Sequence, residues 1–291
     1  MIESPISKKI IFLTFIFSFF VCSLIFINNY FDERTKIVFC DVGQGDAAYI
    51  RIKNKIDILI DAGPDRKVLN CLGKHMPFWD RKIELAILSH PNSDHYNGFF
   101  YIIDRYQLDN FMTVNAVITT KTYKQLVSKI YGKKIPYQFM EAGDIFQVLN
   151  DDFIFYWPPA GFKSYQDNDY SLVFLFQENN FRALFTGDAS PRVLNEIASS
   201  PAKRGPRNDI SHINILKIPH HGSKNGLTKN FLDLADPMFA VISAGKNNSY
   251  GHPSSKVLEM LKAKNIYTER SRSIKIKRTD INGDIVFKLR E

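Results

Sequence analysis

Cysteine is scarce in this chain: Cys22, Cys40 and Cys71 are the only three in 291 residues, and no two of them are spaced as Cys-x-x-Cys. That excludes a zinc-thiolate site and a disulfide framework, since an odd count cannot pair off completely. A single Cys40–Cys71 bridge stays open if the domain is exported. No internal repeat is evident beyond a rough duplication of strand sets. With 45% hydrophobic and 23% charged residues the chain is neither disordered nor fibrous, and it is long enough to bury a sizeable core. Acidic residues are outnumbered, 30 Asp and Glu against 38 Lys and Arg, for a formal charge of +8. That balance suits an anionic partner such as nucleic acid, anionic lipid or a phosphorylated polymer.

One long apolar run is present. Ile10–Ile27 carries no charge and follows Lys8 and Lys9; eighteen helical residues at 1.5 Å each reach roughly across the ~30 Å hydrocarbon layer. A core helix is apolar along one stripe, whereas this run is apolar on every face, so a membrane helix is expected. A cleaved signal peptide has similar flanks. Yet Asn28-Asn29-Tyr30-Phe31 lacks the small-x-small pattern of a cleavage site, and Phe20-Val21-Cys22 lacks the small residue before a lipid-modified cysteine. The expectation is an uncleaved anchor and linker over 1–34 and one folded domain over 35–291. The positive-inside tendency of Lys8 and Lys9, weakened by Arg34 and Lys36, makes this a single-pass protein of the cell membrane with its domain extracytoplasmic.

From Thr35 onward short β-branched and aromatic runs alternate with amphipathic stretches, the pattern of a layered α/β domain. Strands are expected at Lys36–Asp41, Ala47–Lys53, Ile56–Asp61 and Ile83–Ser89. After a less informative middle, more are expected at Phe153–Tyr156, Ser171–Gln177, Phe181–Phe185, His212–Ile218, Phe239–Ser243, Ser273–Lys277 and Asp284–Leu289. The stretch Pro201–Arg207, rich in Pro, Gly and basic residues, reads as a loop. Two strand groups with helices between them predict a four-layer sandwich.

Five of the seven histidines fall in three short segments. Ser89-His90-Pro91-Asn92-Ser93-Asp94-His95 follows the apolar Leu85–Leu88. Ile218-Pro219-His220-His221-Gly222-Ser223 and Tyr250-Gly251-His252-Pro253 are the other two, and Thr186-Gly187-Asp188 ends a further apolar strand in a carboxylate. A strand end dense in His and Asp can aim several donors at one point, which is where metal ligands belong. Lys217 and Lys224 flank the second histidine segment and are candidates for holding a phosphate. The basic run Arg270–Arg278, with Arg272, Lys275, Lys277 and Arg278, reads either as a strand face following a phosphate backbone or as solvated charge on an edge strand.

The order His90…Asp94-His95, Asp188, His221 resembles the metal motifs of the metallo-β-lactamase superfamily. Asp41-Val42-Gly43-Gln44-Gly45-Asp46-Ala47, Leu59-Ile60-Asp61-Ala62-Gly63, Ser171-Leu172-Val173, Lys217–Ser223 and Tyr250–Pro253 narrow it to the metal-binding domain of ComEC-type DNA-uptake proteins. The resemblance implies a four-layer αββα sandwich and a pair of divalent cations. His90 and Asn92 belong to a first metal site, Asp94, His95 and His221 to a second, and Asp188 bridges them. Asp94 either binds metal or orients the nucleophilic water, His220 is a supporting histidine or a proton donor, and His252 is an acid or a phosphate contact on the substrate side. The Asp41–Asp46 segment is a tight turn or a rim of the metal site.

Two departures shape the expectation. The second histidine of the first motif is Asn92, and the usual histidine before Asp188 is replaced by Asp167-Asn168-Asp169. One cation is therefore expected to bind tightly and the other weakly, the latter leaning on Asn92 or an Asp of 167–169. More oxygen donors and fewer nitrogens shift the preference from Zn2+ toward Mn2+ or Mg2+. The function implied is a metal-dependent phosphodiesterase or nuclease acting on DNA. Its alternatives are hydrolysis of a phosphocholine ester, lactone or thioester, and a membrane-tethered binding module without turnover. With one apolar span before the domain, DNA transport itself is not implied, and a separate channel protein is a candidate partner.

Overall fold

The computed structural model describes residues 7–30, 32–117, 120–199, 210–267 and 273–289. Helix α1 (Lys8–Tyr30) leads into an antiparallel meander of β1 (Lys36–Phe39), β2 (Ala48–Ile52) and β3 (Ile56–Ile60). Then come α2 (Val68–His75), β4 (Lys82–Ile83), β5 (Leu85–Ile87), α3 (Ser93–Tyr96), α4 (Phe99–Arg105), β6 (Gln107–Leu108), β7 (Phe111–Thr113), α5 (Lys121–Gly132) and β8 (Tyr137–Phe139). A second meander follows, of β9 (Ile145–Val148), β10 (Asp151–Trp157), β11 (Val173–Glu178) and β12 (Phe181–Phe185). The remainder is α6 (Pro191–Ser199), β13 (Ile215–Lys217), α7 (Lys229–Ala235), β14 (Phe239–Ile242), α8 (Ser255–Tyr267), β15 (Lys275–Arg278), α9 (Thr279–Asn282) and β16 (Ile285–Lys288).

The strands form two seven-stranded sheets, ordered β16-β1-β2-β3-β5-β7-β8 and β15-β14-β13-β12-β11-β10-β9. Each begins as an antiparallel meander and continues in parallel: β3, β5 and β7 in one, β12, β13 and β14 in the other. The layers follow from which faces are apolar. Phe39, Phe174 and Phe185 stack between the sheets at 5.2–5.8 Å, beside Phe153 and Phe176. A fully buried phenylalanine contributes about 1.5–3 kcal/mol, so this seam is the main adhesive between the sheets. The outer face of the first sheet packs on α2, α4 and α5, that of the second on α6, α7 and α8. The expected αββα sandwich is what forms.

Several boundaries differ from expectation. The run Ile83–Ser89 is broken at Glu84, whose carboxylate accepts from the Asp57 backbone N–H at 2.7 Å, so β4 leaves the main sheet to pair with β6. Strands β7, β8 and β9 lie in the uninformative middle, each of three or four residues. Cys40 and Cys71 do form a disulfide, with Cα atoms 5.7 Å apart, tying the end of β1 to α2. The expected loop 201–207 and residues 270–272 of the basic run lie outside the described residues; Lys275–Arg278 form the edge strand β15.

Helix α1 carries the apolar run, and its side chains are exposed on all sides, from Ile10 and Phe12 to Phe20 and Leu24. Those side chains are described only as far as Leu24, a reach of about 22 Å against a layer of ~30 Å. Among the described residues no helix is long and apolar enough to cross a membrane. The expected span Ile10–Ile27 is thus met as a helix, not as a demonstrated crossing.

Candidate metal centre

Every loop that builds the site leaves the carboxyl end of a strand, the crevice where open α/β sheets place their ligands. Loops after β3, β5, β12 and β13 deliver Asp61, the His90–His95 segment, Asp188 and His220-His221 to one side of the sandwich. The backbone bends hard to do it: Asp61, His220 and His221 have φ of 54°, 51° and 53°. Non-glycine residues hold such angles only when their surroundings fix them, and such strain gathers at functional sites. Gly45, with φ of 146°, has no such choice, because a Cβ there would sit 2.3 Å from the Asp94 carbonyl oxygen.

Asp94, His95, Asp188 and His221 each offer one ligand atom, and these atoms lie within 4.8 Å of one another. His95 Nε2 is 3.3 Å from Asp188 Oδ1; His221 Nε2 is 3.2 Å from Asp94 Oδ2 and 3.4 Å from Asp188 Oδ2. The opposite ring nitrogens are anchored. His95 Nδ1 donates to Asp61 Oδ2 at 2.9 Å, and Asp61 is itself held by the Ser89 N–H (2.7 Å) and hydroxyl (2.8 Å). His221 Nδ1 donates to the Ser243 carbonyl at 3.1 Å, beside Asp46 Oδ1 at 3.3 Å. Those bonds fix the tautomer that leaves each Nε2 free to face the centre.

Charge is matched here only by borrowing protons. Burial works against a charged imidazole, yet Asp188 and Asp61 hold His95, and Asp188 and Asp46 hold His221, protonated well above the usual histidine range. Burial would likewise raise Asp188, but the same two histidines drive its carboxyl well below the usual range. His90 differs: burial, then the His95 charge, pushes it down to about 3.

The donors suit a divalent cation. His90 Nε2 is buried and lacks a hydrogen-bond partner, and His95 Nε2 and Asp188 Oδ1, equally buried, face only each other at 3.3 Å without a well-formed hydrogen bond. A buried polar atom left unsatisfied costs about 1–3 kcal/mol, which a cation among these donors would offset. Two imidazole nitrogens and two carboxylates form a donor set that a zinc- or manganese-like ion accepts.

The neighbouring half is poorer. His90, its ring 4.3 Å from that of His95, has Ser89 Oγ 3.1 Å from its Nδ1 and feels the carboxylates of Asp188, Asp94 and Asp46 only through space. Asn92 Nδ2 donates to Asn168 Oδ1 at 3.3 Å, Asn168 Nδ2 lies 3.4 Å from His220 Nδ1, and His220 Nε2 is 4.0 Å from Asp188 Oδ2. Neutral amides therefore occupy this half. The expected help from an Asp of 167–169 is not there. Asp169 is committed to Ser164, Ser190 and Arg192, and Asp167 is exposed.

His252 lies at the rim, its ring 5.7 Å from that of His220, with Gln44 Nε2 3.4 Å from its Nδ1. Gln44 also accepts from the Gly245 N–H at 3.1 Å, so the Asp41–Asp46 segment does border the site. Lys217 is a correction. It is 4% exposed, its Nζ donating to Asp46 Oδ2 at 2.6 Å and to the Ile218 carbonyl at 2.8 Å, so no ammonium faces a phosphate there. Lys224 is exposed. Asp46, Asp61 and Asn168 carry positions in this site that sequence patterns did not single out, although the first two sit inside segments quoted for the resemblance. Ser171 explains another such segment: its hydroxyl accepts from the Asp188 N–H at 3.1 Å.

No protein-family model matches the chain. It is 25% identical over 289 residues to ComE operon protein 3 of Bacillus subtilis (strain 168), covering 92% of this chain and 35% of that protein. It is 28% identical over 225 residues to Recombination protein 2 of Haemophilus influenzae, covering 76% and 26%. The chain thus spans about a quarter to a third of these relatives' length. Among solved structures, the metallo-β-lactamase fold protein YhfI from Bacillus subtilis aligns with a TM-score of 0.57 at 11% identity, covering 88% of this chain and 99% of that one. Igni18, a metallo hydrolase from Ignicoccus hospitalis, aligns at 0.55 and 12%, covering 88% and 100%. The resemblance read from the sequence therefore holds: the chain is similar to ComEC-type competence proteins and has the metallo-β-lactamase fold.

Proposed function

We propose that this ComEC-type chain of metallo-β-lactamase fold is a divalent-metal-dependent hydrolase of phosphodiester bonds, with DNA as its substrate. The observation that carries the reading is the convergence of Asp94, His95, Asp188 and His221 within 4.8 Å, with both histidines locked to present Nε2. When bound, the metal supplies Lewis-acid stabilisation of phosphoryl oxygens and lowers the pKa of bound water. In this reading Asp188 serves both cations, while Asp94 and His221 hold the second and position the incoming water. His220 and His252, both partly exposed, face the substrate side. The relatives named for competence and recombination, together with the net charge of +8, favour DNA over other esters.

The chain is also proposed to be membrane-tethered, with its domain outside the cytoplasm. Burying the exposed isoleucine, leucine and phenylalanine side chains of Ile10–Leu24 in lipid gains about 4–5 kcal/mol on an insertion scale. The Cys40–Cys71 disulfide supports an oxidising compartment. A separate channel protein is its proposed membrane partner.

A second reading, a binding module without turnover, is favoured by one observation: Asn92 and Asn168 place amides where the first cation needs charge. Incubating the full chain in detergent with labelled single- and double-stranded DNA, each with manganese, magnesium or zinc, separates the two. Metal-dependent shortening of the label supports hydrolysis. Intact DNA retained on metal-loaded protein supports the binding module.

A further inference from the structure

The Asp41–Asp46 segment that borders the metal centre leaves the carboxyl end of β1, and the opposite end of that strand borders a cleft of about 600 Å³. Its wall is cationic: Arg34, Lys36, Lys53, Lys55, Lys74 and Lys288 line it, against Asp32 and Glu33 alone among its lining carboxylates. Those two are already engaged, Asp32 by Arg34 (2.7 Å) and Lys288 (3.2 Å), Glu33 by Lys55 (3.5 Å). Arg51, deeper in, is paired with Asp57 and Asp80, and Lys74 with Asp284 at 3.1 Å. The Lys36 ammonium donates only to a neutral acceptor, the His75 carbonyl. Burial first, and then the Arg51 and Lys288 charges, lowers its pKa to about 8.

Two further features say what would come here. Phe78 and Trp79, 78% and 56% exposed, meet edge to face at 4.8 Å on the cleft's rim. Aromatic side chains beside lysines at the surface are the pattern of a membrane interface. The cleft is also covalently close to the apolar helix. Asp32, on its wall, is two residues beyond Tyr30, where α1 ends, so the helix end is within about 7 Å of it.

We infer that this cleft receives the phosphodiester headgroup of an anionic phospholipid, with Phe78 and Trp79 seated at the membrane interface, so that the domain docks on the bilayer instead of swinging from its linker. The inference rests on the tethered reading above. A nucleic-acid backbone carries the same phosphodiester, but a cleft this near the end of α1 faces the bilayer first.

The sequence supplies a reporter. Of the two tryptophans, Trp157 is 3% exposed, which leaves Trp79 as the one quenchable from outside. The full chain is reconstituted into phosphatidylcholine vesicles containing about one-third phosphatidylglycerol, and the bromine label is placed on one lipid or the other. Quenching of Trp79 is expected to be about twofold stronger, or more, with the label on the anionic lipid. The preference is expected to vanish in Lys55→Gln/Lys74→Gln/Lys288→Gln, whose three side chains are 47–67% exposed, with circular dichroism unchanged from that of the unmodified chain. Equal quenching by both labels overturns the inference. So does an oligonucleotide that erases the preference, because the cleft is then a nucleic-acid site. A chain that does not float with vesicles at all refutes the tether itself, and this inference with it; one that floats without lipid preference refutes only the docking.

Discussion

At the carboxyl ends of β3, β5 and β12, the carboxylates of Asp61 and Asp188 and the rings of His90 and His95 are almost wholly buried, Asp61, His95 and Asp188 held by one another and His90 by the Ser89 hydroxyl at its Nδ1. At the start of β1, Lys55, Lys74 and Lys288 of the basic cleft remain 47–67% exposed where they pair with Glu33, Asp284 and Asp32. The contrast is one of dielectric as much as of sign. Inside, charges interact several times more strongly than in water and stay where the fold puts them; outside, salt screens them and side chains move. A buried centre therefore has a geometry that single substitutions destroy, while a surface cleft has an average charge that single substitutions only trim.

The largest effect should come from the carboxylate shared by both histidines. Asp188→Asn is expected to abolish metal-dependent turnover while circular dichroism stays that of the folded domain. Activity retained at saturating manganese would remove Asp188 from the shared position. Next is the anchor behind His95. Asp61→Asn keeps the shape but gives up the carboxylate that orients the ring, and the loss in manganese affinity by calorimetry is expected at about 10–100-fold. An unchanged affinity would mean that Ser89 and the backbone alone aim His95.

The third prediction addresses the poor half of the centre. The unmodified chain should show one tight and one weaker manganese equivalent, and Asn92→Asp should tighten the weaker one roughly tenfold, a step of ~1.4 kcal/mol that a carboxylate beside a cation readily supplies. Two equally tight equivalents in the unmodified chain would contradict the asymmetry. The smallest effect belongs to the basic cleft. Lys36 has a folded pKa of about 8 against an ordinary 10.5, so the unfolded chain binds more protons between those values. Its contribution to stability is full above 10.5 and is lost as pH falls through about 8. Lys36→Met should therefore gain on the unmodified chain more at neutral pH than at pH near 10, measured by urea midpoints. A difference that does not vary with pH would show that Lys36 keeps its ordinary basicity.

What the sequence made legible divides along the same line. His90, Asp94, His95, Asp188 and His221 could be picked out because each sits within a few residues of an apolar strand end, a local pattern. Asp61 and Asp46 could not be given their roles. Asp61 reaches His95 across 34 positions, and Asp46 reaches His221 across far more, through contacts that only the folded sheets create. Lys217 was misread for the same reason: a lysine beside a histidine motif looks alike whether it points to solvent or, as here, into Asp46. The αββα layering was legible from alternation in the long strands. Strands β7, β8 and β9 are too short to show a period, and their order in the sheets is set by packing on α5 and β10. The Cys40–Cys71 pairing, left open by the sequence, needed the distance between β1 and α2.

Strand β16 gives the fold a timing. It pairs along the whole of β1, from Lys36 opposite Lys288 to Phe39 opposite Ile285, and Leu289 donates back to the Thr35 carbonyl at 2.9 Å. The two partners are about 250 residues apart, a closure of very high contact order, and such closures are slow. While the chain is being made, β1 is an unpaired edge for almost its whole emergence, and the meander it starts is open to wrong partners. Nascent chains stalled before residue 285 should thus be protease-sensitive at β1, and a chaperone that covers sheet edges should speed their recovery.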